Sequence, residues 1–433
     1  MGARIAWVVA WVVVSGVGFG GVALPAHADD PDAVIGEVLE ILLERGIVDS
    51  DRYRELVAKN ERYEAVQARF LDRIDFSGDF RGRLENFWFD RDALGGERDN
   101  RHRGRYRLRL QGKARINDSV TAIFRLASGQ GGARSRNTTF GEKDDFQPDS
   151  LFVDRAYLEV RAPLEQDIRL RIGKMANPLR WKHGKDYLVW DPDITPEGVS
   201  AQWSGRAMGL DLFATAAYFV LDEDAAAQDA NLLAFQGGFE KRVSDTVRFG
   251  GRATWYGFRS LGSDGDSDGI PDFFQRGAAF GNLATADRPG DDIDAIELAG
   301  WVRCACIEDW PVLLYGHVVQ NLSASSRVTG RKEDTGWLVA VEVGDKRRHG
   351  KLGIGYTRLE ADSFPAITID SDLTDAHTNR RGLTAYGARQ ILANTDLRFS
   401  FFVGDAVRAD ALHAQSVSGS DRMRLRTDIV VSF

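Results

Sequence analysis

Residues 103–118 read RGRYRLRLQGKARIND, and this strict alternation limits what the chain can fold into more than any other feature. Tyr106, Leu108, Leu110, Gly112, Ala114 and Ile116 fall on one side of an extended strand. Arg103, Arg105, Arg107, Arg109, Lys113 and Arg115 fall on the other. A helix cannot sort this sequence, because a period of 3.6 would mix leucine and arginine on every face. Asn117 and Asp118 then turn the chain into SVTAIFRLASG, where Val120, Ala122, Phe124 and Leu126 alternate again. The last twelve residues, RMRLRTDIVVSF, do the same. Met423, Leu425, Thr427, Ile429, Val431 and Phe433 form one stripe, and Arg422, Arg424, Arg426 and Asp428 the opposite one.

From Phe76 onward the period of two predicts about sixteen strands, with eighteen as the alternative count. They lie near 75–89, 102–117, 119–129, 151–162, 167–176, 197–205, 208–221, 230–243, 245–260, 292–304, 311–323, 335–345, 350–361, 379–392, 395–405 and 421–433. Short connections follow the even strands, at 117–118, 163–166, 244–245 and 393–394. Long ones follow the odd strands, at 90–101, 130–150, 177–196, 261–291, 362–378 and 406–420. A soluble sandwich has no reason to keep that order, whereas a membrane barrel puts short turns on one rim and long loops on the other. The expected fold is therefore an all-β transmembrane barrel, with apolar stripes on lipid and arginines in the lumen.

The first 73 residues differ. Residues 1–28 carry Arg4, a long apolar run and Ala26-x-Ala28, the pattern of a cleaved secretory signal. Residues 29–73 read as two helices with a short coiled-coil-like seam at Tyr53, Leu56, Asn60, Tyr63, Gln67 and Phe70, restarting at Asp49 or Ser50. The barrel takes 74–433. With 64 acidic against 56 basic residues, and no basic block, nucleic acid is excluded as a partner. Cys304 and Cys306 are the only cysteines and suit a locally paired turn better than a metal site.

On these residues the chain resembles the putative-porin family of Gram-negative outer membranes, and more distantly the phosphate-selective porins. The likeness runs through FSGDFRGRLENFWFD, the stretch from RHRGRYRLRLQGKARIND into FRLASG, DRAYLEV, RIGKMANPLRW and LVWDPDITPEGVSAQW. It implies a channel for small hydrophilic solutes in the outer membrane, trimeric, with the helical segment in the periplasm. The aromatic Phe433 on an alternating strand resembles the signal read by the barrel assembly machinery. The family has no catalytic motif to transfer.

Strand parity assigns Arg81, Arg83, Arg105, Arg107, Arg109, Arg125, Arg169, Arg171, Arg248, Arg252, Arg398, Arg422, Arg424 and Arg426 to the lumen. Asp79, Glu85, Glu159, Asp211, Glu297, Glu342 and Asp428 share it. A basic wall opposite an acidic one would orient polar solutes, and the arginine excess leans toward anions. The alternative is that the arginines pair with acids on neighbouring strands. The long loop 177–203 is a candidate constriction, with Arg180, Lys182, His183, Lys185, Asp191 and Asp193 facing the pore, or else an outer cap.

The stretch DGDSDGIPD at 264–272 has the start of a calcium loop, with Asp264, Asp266, Asp268 and Asp272 as side-chain ligands and Ile270 offering its carbonyl. Gln275 replaces the closing glutamate of an EF-hand, so the stretch looks more like a thrombospondin type 3 loop, and a solvated acidic tip is the plain alternative. No other cofactor is expected. There is no nucleophile elbow, no H-E-x-x-H and no P-loop, and the histidines lie in separate elements. A polysaccharide-export or adhesion barrel is the other reading, with a membrane-embedded hydrolase behind it.

Overall fold

A computed structural model of the chain describes residues 43, 48–59, 73–89, 99–129, 131–142, 146–162, 167–223, 225, 228–262, 282, 292–305, 307–324, 330–372, 377–410, 413 and 422–433. The strands are β1 (Ile74–Phe89), β2 (Arg101–Arg115), β3 (Val120–Ser128), β4 (Thr138–Thr139), β5 (Leu151–Ala162) and β6 (Asp167–Lys174). Then come β7 (Glu197–Ala207), β8 (Leu210–Asp222), β9 (Ala230–Arg242), β10 (Val247–Arg259), β11 (Ile293–Cys304) and β12 (Val312–Asn321). The last are β13 (Thr335–Asp345), β14 (Gly350–Leu359), β15 (Arg380–Leu392), β16 (Thr395–Ala406) and β17 (Arg422–Ser432). All pairings are antiparallel, and β1 pairs with both β2 and β17, so the sheet closes on itself. Sixteen strands make the wall; β4 is a two-residue addition beside β2, at Arg105 and Tyr106.

That addition is absent from the sequence-based strand list and has a local cause. Strand β3 pairs with β2 only as far up as Arg109, and there the chain leaves the wall. It returns at Thr138 to occupy the vacated edge of β2. Just before that return Arg136 and Asn137 are buried, as is Thr138 itself.

The outward stripes are apolar and exposed, as at Phe80, Leu84, Leu110, Phe124, Leu158, Ile172, Leu298, Ile354, Phe399 and Ile429. Such a belt is stable only against lipid. The inward residues are the buried ones, so the core of this protein is the inside of its barrel. At the seam, Gly78 and Phe433 exchange backbone hydrogen bonds of 2.7 and 3.1 Å.

Residues 1–72 form a unit separate from 73–433. Within it, 50–59 are helical, capped by Asp49, whose carboxylate accepts the Arg52 N–H at 2.7 Å. Asn60, Tyr63, Gln67 and Phe70, four of the six residues of the proposed seam, lie outside the described residues, as do Asp264, Asp266, Asp268, Ile270 and Asp272 of the calcium stretch. Cys304 is disulfide-bonded, and the chain's other cysteine, Cys306, is also outside them.

Candidate functional site

The site begins with a conflict in register. Arg81 sits directly opposite Arg107, and Arg83 opposite Arg105, across β1 and β2. Like charges so placed repel, and this wall is stable because carboxylates are threaded through it. Asp79 accepts from Arg107 and Arg109, both at 2.7 Å. Glu85, fully buried, accepts from Arg424 at 2.7 Å and Arg103 at 2.5 Å. Asp428 holds Arg83 at 2.6 Å, and Asp154 holds Arg125 and Arg136.

Two further acids reach this wall from loops. Asp193 lies 3.5 Å from Arg107 and 3.8 Å from Arg109. Asp372 lies 2.9 Å from Arg83 and 2.5 Å from Arg426. The lumen acids divide: Asp79, Glu85 and Asp428 stand among these arginines, whereas Glu297 and Glu342 are buried on β11 and β13 with Arg252 and Lys351 as their partners. On β8–β13 the inward side carries apolar Phe219, Leu232, Tyr256, Phe258, Tyr315 and Leu338, with buried Arg252, Glu297, His317 and Glu342 among them.

Loop 177–196 enters the lumen because it carries apolar residues that only this wall can cover. Leu179, Trp181, Leu188, Val189 and Trp190 are buried in one cluster with those strand residues. The Leu179 carbonyl accepts from Arg252 at 2.5 Å and from Gln236 at 3.0 Å, tying the loop to β10 and β9. Loop 360–372 joins the same cluster through Phe364, Ala366 and Ile369. Asn282 clamps it with three hydrogen bonds, donating to Ala361 and Phe364 at 2.9 Å and accepting from Ala366 at 2.8 Å.

Asp191 locks these two loops together. Its N–H donates to the Thr368 carbonyl at 2.7 Å, and its carboxylate accepts the Ser371 N–H at 2.8 Å. The third segment, 129–137, is fastened alongside: Arg134 donates to the Ala366 carbonyl at 2.9 Å, and Ser371 donates to the Arg134 carbonyl at 3.0 Å. The carboxyls of Asp191 and Asp370, on loops outside the spanning strands, are both raised, chiefly by burial. Asp370 adds to Asp191, and Asp372 helps push Asp370 to about 7.

The arginines assigned by parity all lie on inward positions of their strands, but their surroundings differ. Arg81, Arg83, Arg105, Arg107, Arg125, Arg252, Arg422, Arg424 and Arg426 are buried. Arg171 pairs with Glu159 at 2.9 Å and Arg398 with Asp396 at 2.7 Å, while Arg169 bonds Asp167. Arg248 is exposed at the short-turn rim. Of the loop residues, Asp191 and Asp193 are buried, Arg180 and Lys182 are exposed, and Lys185 lies 5.3 Å from the centre of the Tyr386 ring. His183 stacks on Trp301 at 4.0 Å.

One grouping escaped sequence reasoning. Asp186, Glu297 and His317, from a loop and two strands, offer ligand atoms within 4.8 Å of one another. The guanidinium of Arg252, 2.7 Å from Glu297, already supplies the cation there, so the group is an ion-paired anchor beneath Trp181. No spacing in the sequence announces it. The inward segments 129–137 and 360–372 were also missed, although Phe364, Ile367 and Ile369 in a supposed outer loop were the available signal.

Among solved structures, the barrel is similar to OprB of Pseudomonas putida at high pH, with 10% identity, a TM-score of 0.53, and coverage of 86% of this chain and 97% of that one. A mutant Rhodopseudomonas blastica porin aligns with 9% identity over 83% of this chain and all of its own length, at TM-score 0.43. A loop-deleted OmpT, an outer membrane protein of Vibrio cholerae, aligns with 12% identity over 83% and 99%, also at 0.43. At such identity the OprB likeness is one of fold. No curated protein matches the sequence. Residues 93–279 match the family described as putative porin. That match covers less than half of the chain, and over those residues the chain is similar to that family.

Proposed function

We propose that this porin-like barrel is a passive diffusion channel for small hydrophilic solutes, with a weak preference for anions. The observation that carries this is the arginine wall facing three interlocked inward loops. Around it ten guanidiniums, of Arg81, Arg83, Arg103, Arg105, Arg107, Arg109, Arg125, Arg136, Arg424 and Arg426, share six carboxylates, of Asp79, Glu85, Asp154, Asp193, Asp372 and Asp428. The excess positive charge, in a passage of low dielectric, attracts anions and delays cations. In this proposal the short-turn rim faces the periplasm, the long loops face outward, and three copies assemble in the outer membrane.

Purified, refolded protein added to a planar bilayer should give steady, ohmic steps of conductance. Folded protein that inserts and stays silent would overturn the channel, and chemical cross-linking in detergent checks the trimer separately.

A further inference from the structure

We propose that the short-turn mouth of the barrel holds a second binding site, for small organic anions that carry a phosphate or carboxylate beside a ring. Arg248 of β10 stands directly opposite Arg242 of β9 on one side and Arg303 of β11 on the other. Arg248 shares the inward parity of buried Arg252, and Arg303 that of buried Trp301. Three guanidiniums thus stand in a row, with neighbouring backbones about 5 Å apart. None forms an ion pair with a described residue. At the other places among the described residues where arginines face each other across strands, at least one of the two is paired with a carboxylate.

Two residues further along β9 and β11, at Glu240 and Trp301, lies a cavity of about 200 Å³ that also includes His183, Arg180, Lys182 and Asp167 in its lining. Arg180 and Lys182 come from the inward loop, are exposed, and also lack an ion pair among the described residues. Glu240, two residues along β9 from Arg242, is engaged by His183 at 3.0 Å. Cations from wall and loop therefore converge beside a flat aromatic surface. Guanidiniums select phosphate or carboxylate oxygens, and the stacked His183–Trp301 pair offers a face to a sugar or other ring. An anion there would also relieve a repulsion the fold otherwise carries unrelieved.

The site gives the proposed channel a solute class, and rests on that reading only for how the solute arrives. Calorimetry on the folded protein in detergent needs no conductance, so a silent channel and an empty site are separate failures. Glucose 6-phosphate is the probe, with glucose and inorganic phosphate beside it. Glucose 6-phosphate should bind, more tightly than phosphate, and glucose should not. Replacing all three rim arginines (Arg242→Gln, Arg248→Gln, Arg303→Gln) should weaken binding at least tenfold while thermal stability holds or rises, because like charges are removed. Arg180→Gln with Lys182→Gln should weaken it by a smaller factor. No binding by the wild-type protein, or unchanged affinity in a folded rim variant, would overturn the site. Phosphate binding as tightly as its sugar ester would overturn the role of the aromatic face.

Discussion

Gly78 shows how narrowly single positions are set at the seam. A Cβ there would lie 2.6 Å from the Arg109 carbonyl oxygen and 2.6 Å from the ring of Phe433, which covers the glycine. Gly78→Leu should therefore displace that ring and destabilise the closing strand pair by about 1–3 kcal/mol, a typical overpacking penalty. The check is the midpoint of heat-induced loss of the compact form on a denaturing gel; an unchanged midpoint would mean the seam does not depend on this contact. At this scale parity was legible from the sequence, since a period of two fixes the side each arginine takes. Its partner was not. Arg107 and Asp79 are neighbours only because of the register between β1 and β2, and Arg83 meets Asp372 from a residue 289 positions away.

Among elements, the strands were readable because each carries its own two-sided pattern, and the boundaries fall within a few residues of the expected ones. The loops were not, because an inward loop is held by residues far away in sequence. Trp190, buried against β10, is the clearest anchor of 177–196. Trp190→Ala should release the loop at a cost of about 3–5 kcal/mol, giving faster trypsin cleavage near Lys182 or Lys185 and a larger single-channel conductance. Equal cleavage and conductance would mean that other contacts suffice.

The buried carboxyls of Asp191 and Asp370 make docking depend on pH. A carboxyl raised in the docked loop, relative to the free one, favours docking while it is protonated. For Asp370 that contribution is complete below the ordinary aspartate range near pH 4 and is lost as pH rises through about 7. Conductance should thus increase between pH 4 and 7, and Asp370→Asn should flatten the response. A variant that titrates like the parent would place the pH dependence elsewhere.

At the scale of the whole molecule, closure, the lipid-facing belt and the two unequal rims all follow from strand alternation and connection length. The charge on the lumen surface does not, because it depends on which loops fold in and which acids they bring. In the function proposed above, these loops leave a net positive passage along the arginine wall. It is tested most directly by the reversal potential across a planar bilayer holding a tenfold gradient of potassium chloride. The expected potential has the sign of preferred chloride passage and is smaller in size than that of an ideal anion channel. A potential with the sign of potassium preference would contradict it.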